Sequence, residues 1–253
     1  MILVYKNYKK NDSVYLSMLS ARHFLPDVKI YCILQYDSNK NEYDDFIKKS
    51  KLLKNIKFKF VKKKYHLGGA NFSPVNGFYF PEYVNTVAKL FSRYSKVVVL
   101  DEDNYFTTGE TLRWFKNTDF DLACCYWAAP NPHGFYKTRP EFEINASIFA
   151  INMKKLNKLF PIPEAEEFCE LIFGHEIHDK TKKLGFDIKI IPTRNFGDYC
   201  GDGIHTNDSE VIKNHLIEVG IPLEINESNW FCNFKNYLSK LLGLTLKFFH
   251  DKK

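Results

Sequence analysis

A short apolar run that stops at three acidic residues is the feature that most constrains the fold of this chain. Val97 to Leu100 is aliphatic and mostly β-branched, and Asp101, Glu102 and Asp103 follow it directly. Such a run predicts a buried parallel strand that delivers carboxylates to the edge of a sheet. Because α/β proteins bind ligands at that edge, the strand predicts both a sheet type and the place of a site.

The spacing of the acidic residues predicts a divalent-cation site. In extended backbone, side chains two apart share a face, so Asp101 and Asp103 are expected on one side and Glu102 on the other. Hard cations prefer oxygen ligands, and Mg²⁺ or Mn²⁺ keeps room for substrate phosphates, so either ion is expected at this pair. The alternative is that these carboxylates cap the next helix or face water.

The N-terminal third alternates strand and helix signals. Strands are predicted at residues 1–5, 28–34 and 56–61, with helices over 13–24 and 42–53. This βαβαβ order implies a parallel sheet with right-handed crossovers. A further helix that starts at Phe80 leads into the acidic strand, which places the acidic residues near the centre of the sheet.

The first predicted turn, residues 6–12, contains no glycine. This argues against a dinucleotide fingerprint and against a phosphate-binding P-loop, since both need glycine for close backbone approach to phosphate. The loop at 66–77, which includes Gly68, Gly69 and Asn71, is rich in turn formers and either connects two elements at the surface or lies over a ligand.

The second half of the chain predicts further elements of both kinds. Helices are expected over 108–115, 164–173 and 176–184, and strands over 121–126, 141–152 and 187–191. The Gly- and Asp-rich segment 195–208 is expected to fold back towards the acidic residues. No internal repeat or low-complexity linker interrupts the chain, so we expect one domain over 1–253.

Composition indicates a globular protein with an anionic partner. The chain has 253 residues, 45% of them hydrophobic, and a formal net charge of +6 that suits a phosphorylated ligand. No nucleic-acid-binding motif accompanies the lysines, so we expect no nucleic-acid partner. With no signal peptide and no CxxC spacing, the sequence predicts a cytoplasmic protein with buried, reduced thiols.

The order of these features resembles a GT-A fold, nucleotide-sugar-dependent glycosyltransferase over about residues 1 to 205. The resemblance rests on a nucleotide-binding half, a strand that ends in a DxD motif, and the strand Ile144 to Asn152. It implies an α/β, GT-A-like single domain whose mixed, mostly parallel central sheet is flanked by helices. Residues 1–103 would bind the nucleotide sugar, and residues 104–253 would bind the acceptor and end in a helical tail.

The resemblance also implies roles for individual residues. Asp103 would bind the metal directly, Asp101 would lie near the metal and the donor sugar, and His205 would be a third metal ligand. Asn145 would line the acceptor side, although Ser147 stands where glycine is common in the family. The remaining donor contacts are expected from strand ends and from the glycine-rich loop, namely Tyr5, Lys6, Asn7, Asp37, Gly69 and Asn71.

The implied reaction is transfer from a UDP- or GDP-sugar to a glycan or other acceptor hydroxyl, with Mn²⁺ or Mg²⁺ as cofactor. Glu176 is the first candidate for the catalytic base of an inverting enzyme, and Asp179 and Glu143 are the next candidates. The alternative is that Glu176 has only a structural role, as a carboxylate that the helix dipole stabilises at a helix N-terminus. The tail, residues 237–249, is a candidate for peripheral membrane contact, or it packs on its own domain.

Two other functions stay open. An inactive GT-A-like binding or scaffold domain would keep the fold without the chemistry. A DxD phosphohydrolase is disfavoured because Asn104 and Tyr105 follow the second aspartate, where such enzymes carry a small hydroxyl residue and threonine. A sugar-phosphate nucleotidylyltransferase shares the fold but is disfavoured, because it needs a glycine-rich first turn and residues 6–12 contain no glycine.

Overall fold

The first half of the chain alternates strand and helix, as predicted. The computed structural model describes residues 1–62, 80–102, 104–127, 143–163, 173–192, 199–200, 203–205 and 208–223. The elements up to the acidic strand are β1 Ile2–Asn7, α1 Asn11–Phe24, β2 Lys29–Tyr36, a 3₁₀ turn Lys40–Tyr43, α2 Asp44–Lys51, β3 Ile56–Lys62, α3 Phe80–Phe91 and β4 Val97–Leu100.

The second half carries shorter elements. They are β5 Asn104–Phe106, α4 Glu110–Asn117, β6 Leu122–Trp127, β7 Glu143–Ile151, α5 Met153–Leu156, a 3₁₀ turn Asn157–Leu159, a π-helix Phe173–Asp179, α6 Lys180–Lys183, β8 Ile188–Ile190, β9 Tyr199–Cys200, β10 Gly203–His205 and α7 Ser209–Glu218. The helix predicted over 164–173 lies almost wholly outside the described residues, as does the C-terminal tail.

Seven strands form one sheet in the order β3-β2-β1-β4-β7-β6-β8. The pairs β1–β2, β2–β3, β1–β4 and β6–β8 are parallel, and β7 runs antiparallel to both β4 and β6. The predicted mixed, mostly parallel sheet is therefore confirmed. Its parallel half is built from the βαβ units that the sequence indicates.

Side chains of the buried strands alternate between two hydrophobic cores. On β1, Leu3 and Tyr5 pack in the core that contains α1, whereas Ile2 and Val4 pack against α3 on the other face. The Tyr83 hydroxyl of α3 donates to the backbone carbonyls of Val4 at 2.8 Å and Leu100 at 3.1 Å. Burial raises the pKa of Tyr83 well above its ordinary value, so this phenol stays a donor that joins β1 to β4.

The cysteines differ in part from the prediction. Cys32 and Cys124 are free and buried, and burial raises the pKa of the Cys124 thiol to about 12. Cys125 is disulfide-bonded, so the prediction of reduced thiols is wrong at this position.

Within the described part of the chain, no helix is long and apolar enough to cross a membrane.

Candidate functional site

The carboxyl ends of β1 and β4 meet where the order of the strands reverses. From β1 the sheet grows through β2 to β3, and the chain then crosses back to place β4 on the other side of β1. The crevice at such a switch point is where open α/β sheets bind ligands. Tyr5 pairs with Leu100 in the β1–β4 register, so the residues that follow them, Lys6 and Asp101, lie side by side.

Four charged side chains form a connected ion network at this edge. Lys6 Nζ lies 2.7 Å from Asp101 Oδ1 and 3.5 Å from Glu102 Oε2. The other oxygen of Glu102, Oε1, lies 3.1 Å from Lys10 Nζ in the first turn. The Glu102 side chain is only 7% exposed, against 21% for Asp101, so Glu102 is the buried centre of the network.

The position of Glu102 corrects the expectation that it faces away from Asp101. That expectation assumed extended backbone through the acidic residues, but β4 ends at Leu100. The chain then turns, with the Asn104 N–H donating to the Asp101 carbonyl at 3.5 Å. Because the turn breaks the two-residue alternation, Asp101 and Glu102 reach the same lysine.

One backbone carbonyl of β7 fixes this turn. The carbonyl of Ser147 accepts from the Asp101 N–H at 2.9 Å and from the Asn104 side-chain amide at 2.6 Å. Asn104 is fully buried, so its amide is committed to this contact. Asn104 was not among the predicted site residues, although an asparagine that directly follows strand-end carboxylates is typical of a turn.

A second, three-stranded sheet brings a late segment back to the acidic residues. Its order is β5-β10-β9, and the antiparallel β5–β10 pair places His205 opposite Asn104. The expectation that segment 195–208 folds back towards the acidic residues is thereby confirmed for the backbone of its described part that pairs with β5, Gly203–His205.

The metal site itself stays a prediction. Asp103 and the side chain of His205 lie outside the described residues. Among the described side chains, no group of three His, Cys, Asp or Glu residues is placed to hold a metal ion.

A second group of polar side chains lies at the end of β2, beside the turn that connects β1 to α1. Asp37 Oδ2 accepts from the Tyr8 hydroxyl at 2.9 Å and lies 2.8 Å from Lys9 Nζ. Lys9 has a φ of +59°, and the bond from its backbone N–H to the Tyr43 hydroxyl at 3.3 Å holds it there. Side-chain contacts therefore shape a turn that would otherwise favour glycine.

Two of the predicted donor-binding residues have other contacts. The Tyr5 side chain is fully buried in the α1 core, and its hydroxyl donates to the Ser17 carbonyl at 3.3 Å. Asn7 is buried as well, and its amide contacts Asn11 at 2.8 Å and the Lys10 N–H at 3.0 Å. The Tyr5 phenol therefore packs in the α1 core and the Asn7 amide holds the first turn, while their predicted contacts with a donor stay predictions.

Glu176 lies on the π-helix Phe173–Asp179, which packs on the sheet through the buried residue Ile177. A π-helix is rare and is frequently found at functional sites. The Glu176 carboxylate pairs with Lys180, one turn further along the chain.

Of the other predicted residues, Gly69 and Asn71 lie outside the described ranges, and Asn145 is placed only by its backbone, opposite Cys125.

Comparison with known proteins identifies the fold. No protein-family model and no curated protein matches this chain. A solved galactosyltransferase, LgtC in complex with donor and acceptor sugar analogs, is similar with a TM-score of 0.54 and 13% identity, over 88% of this chain and 98% of LgtC. The fold is GT-A-like.

A second solved structure shows how far the likeness reaches. A protein assigned as a glucose-1-phosphate thymidylyltransferase from Bacillus anthracis, in complex with sucrose, matches with a TM-score of 0.53 and 10% identity, over 87% of this chain and 95% of that one. Because two reaction classes share this GT-A-like architecture, the fold alone does not choose between them.

Proposed function

We propose that this protein is a glycosyltransferase that moves a sugar from a nucleoside-diphosphate sugar to a hydroxyl of a glycan or other acceptor. The observation that carries the proposal is the placement of Asp101 at the switch point of a GT-A-like sheet, in a turn fixed by the Ser147 carbonyl. The LgtC complex, with its donor and acceptor sugar analogs, supports this substrate class. The glycine-free first turn disfavours nucleotidylyl transfer.

Carboxylates are the ligands that Mn²⁺ and Mg²⁺ prefer, which supports a cation site at this edge. Asp101 offers a partly exposed carboxylate, and the β5–β10 pairing brings the backbone of His205 opposite Asn104, the neighbour of Asp103. We propose that Asp101, Asp103 and His205 hold Mn²⁺ or Mg²⁺. The cation would supply Lewis-acid stabilisation of the charge that develops on the departing nucleoside diphosphate.

Lys6 and Asp37 are the described residues best placed to contact the donor. Lys6 lies near the carboxyl end of β1 and Asp37 directly follows β2, and both keep part of their side chains exposed, 12% for Lys6 and 22% for Asp37. Tyr5 and Asn7 would support the site from beneath, since their side chains are buried. The roles of Gly69, Asn71 and Asn145 remain those that the resemblance implies.

A thermal-shift screen of UDP- and GDP-sugars, with and without Mn²⁺, tests the proposed function. We expect one donor to raise the melting temperature only when Mn²⁺ is present, because a ligand that binds only the folded state stabilises it more the tighter it binds, and the proposed cation would hold the donor. The same screen with Asp103→Ala should show no metal-dependent shift. Stabilisation by no donor at all would favour the binding or scaffold domain instead.

Glu176 is the candidate catalytic base, and its partner Lys180 supplies a matched control. If Glu176 takes the proton of the acceptor hydroxyl, Glu176→Gln should lower kcat by roughly 10²-fold or more. Lys180→Gln removes the same ion pair and should leave kcat within a few-fold of the wild type. Equal, small effects of both substitutions would show that Glu176 only stabilises its helix.

A further inference from the structure

Glu102 is the middle one of the three acidic residues that follow β4. It makes ion pairs that binding of a metal by Asp101 and Asp103 would not require. Its side chain is almost fully buried, yet it faces two lysines, Lys6 at 3.5 Å and Lys10 at 3.1 Å. A carboxylate is costly to bury without partners. Lys10 compensates Oε1, whereas the buried Oε2 has no hydrogen-bond partner among the described residues and depends on the longer ion pair with Lys6.

The contacts of Lys6 tie Glu102 to Asp101. Lys6 Nζ lies between the two carboxylates, closer to Asp101 at 2.7 Å than to Glu102 at 3.5 Å. Because the ammonium is shared, Glu102 limits how far Lys6 can move towards Asp101 or away from it. A change at Glu102 is therefore expected to reach Asp101 through Lys6.

Lys10 anchors the other end of the network. It is the residue before α1, a 14-residue helix, and its backbone N–H donates to the Asn7 amide oxygen at 3.0 Å. The backbone carbonyl of Glu102 accepts from the Ser17 hydroxyl of the same helix at 3.4 Å. Glu102 is thus fixed to α1 through both its side chain and its backbone.

We propose that Glu102 is a positioning residue for the donor. It holds Lys6 through one carboxylate oxygen and Lys10 through the other, and so sets the place of Lys6 and Asp101 at the switch point. This inference rests on the proposed function, and it deepens that function by assigning a role to a residue that touches neither the donor nor the reacting atoms.

Calorimetric binding of UDP and GDP, each with Mn²⁺, tests the proposal. Glu102→Gln keeps the shape of the side chain and removes its charge, and we expect it to weaken binding by roughly tenfold, as loss of an outer-shell partner does at other sites. Lys10→Gln breaks the network from its more exposed end and should weaken binding in the same direction. The double variant should bind no more weakly than the worse single variant, because both changes act through one network.

Glu210→Gln is the matched control, since Glu210 pairs with Lys213 on the exposed surface of α7. It should bind as the wild type does. With an accepted sugar donor, Glu102→Gln should raise KM and leave kcat nearly unchanged, which separates positioning from general loss of folded protein. Circular dichroism gives the folded fraction, and Lys10→Gln keeps the test decisive if Glu102→Gln folds poorly.

Different failures point to different conclusions. If the wild type binds a nucleotide and both Glu102→Gln and Lys10→Gln bind it within twofold, the positioning role is rejected while the proposed function stands. Additive losses in the double variant would also reject a shared network. If the wild type binds neither nucleotide, the proposed function fails, and the positioning role fails with it.

Discussion

Lys6→Met is expected to destabilise the protein by about 3 kcal/mol and to abolish donor binding. Lys6 is 12% exposed and is the shared partner of Asp101 and Glu102. Methionine keeps an apolar stem of similar length but leaves two adjacent carboxylates without their common cation. Removing one member of a largely buried ion pair costs about 3–5 kcal/mol, because the remaining charge is desolvated and unpaired.

The neighbouring lysine provides the control for this prediction. Lys9 pairs with Asp37 at 2.8 Å, but its side chain is 52% exposed. An exposed ion pair contributes only about 0–1 kcal/mol, so Lys9→Met should change the free energy of unfolding by less than 1 kcal/mol. Urea unfolding of both variants measures the difference. Similar losses for Lys6→Met and Lys9→Met would mean that the network at β1 and β4 contributes no more than a surface pair does.

The parts of this fold that were predicted are those whose apolar residues recur with a clear period or form a continuous run. β1 to β4, α1 and α3 lie within a few residues of their predicted bounds, because burial on one or both faces leaves a clear period in the sequence. Strands β5, β9 and β10, of two or three residues each, were missed, whereas β8, which is also three residues long, was predicted from the isoleucines that precede Pro192. Helix α7 was missed as well, and it leaves Val211 and Ile217 exposed, which blurs its apolar face.

The candidate site was predicted only where strand geometry decides it. Asp101 and Lys6 lie at one edge as predicted, because Lys6 is near the carboxyl end of β1 and Asp101 directly follows the neighbouring parallel strand β4. The opposite-face prediction for Glu102 failed, because the backbone leaves extended geometry one residue after Leu100. The donor contact predicted for Tyr5 stays a prediction, although Tyr5 lies within β1 and its side chain points into the α1 core. Contacts such as those of Asn104 and Lys10 depend on turns, and turns carry less signal than periodic elements.

Gly109→Ala is expected to destabilise the protein by about 3 kcal/mol through two separate effects. Gly109 precedes α4 with a φ of +69°, which costs a residue with a Cβ atom about 1–2 kcal/mol. An added Cβ would also lie 2.4 Å from the Cβ of Phe24, at the end of α1. Phe24 cannot yield at that atom without moving the helix, and forcing extra atoms into a packed contact costs about 1–3 kcal/mol.

Gly185→Ala separates the two effects. Gly185 has a similar φ of +73°, but an added Cβ there meets no atom within 4 Å. It should therefore show the backbone cost alone, about 1 kcal/mol, in the same urea unfolding experiment. Equal losses at both glycines would mean that α1 shifts freely to admit the methyl group. A larger loss at Gly109 would show that the contact between α1 and the start of α4 is rigid, which is the condition for α1 to hold Lys10 and Glu102 in fixed positions.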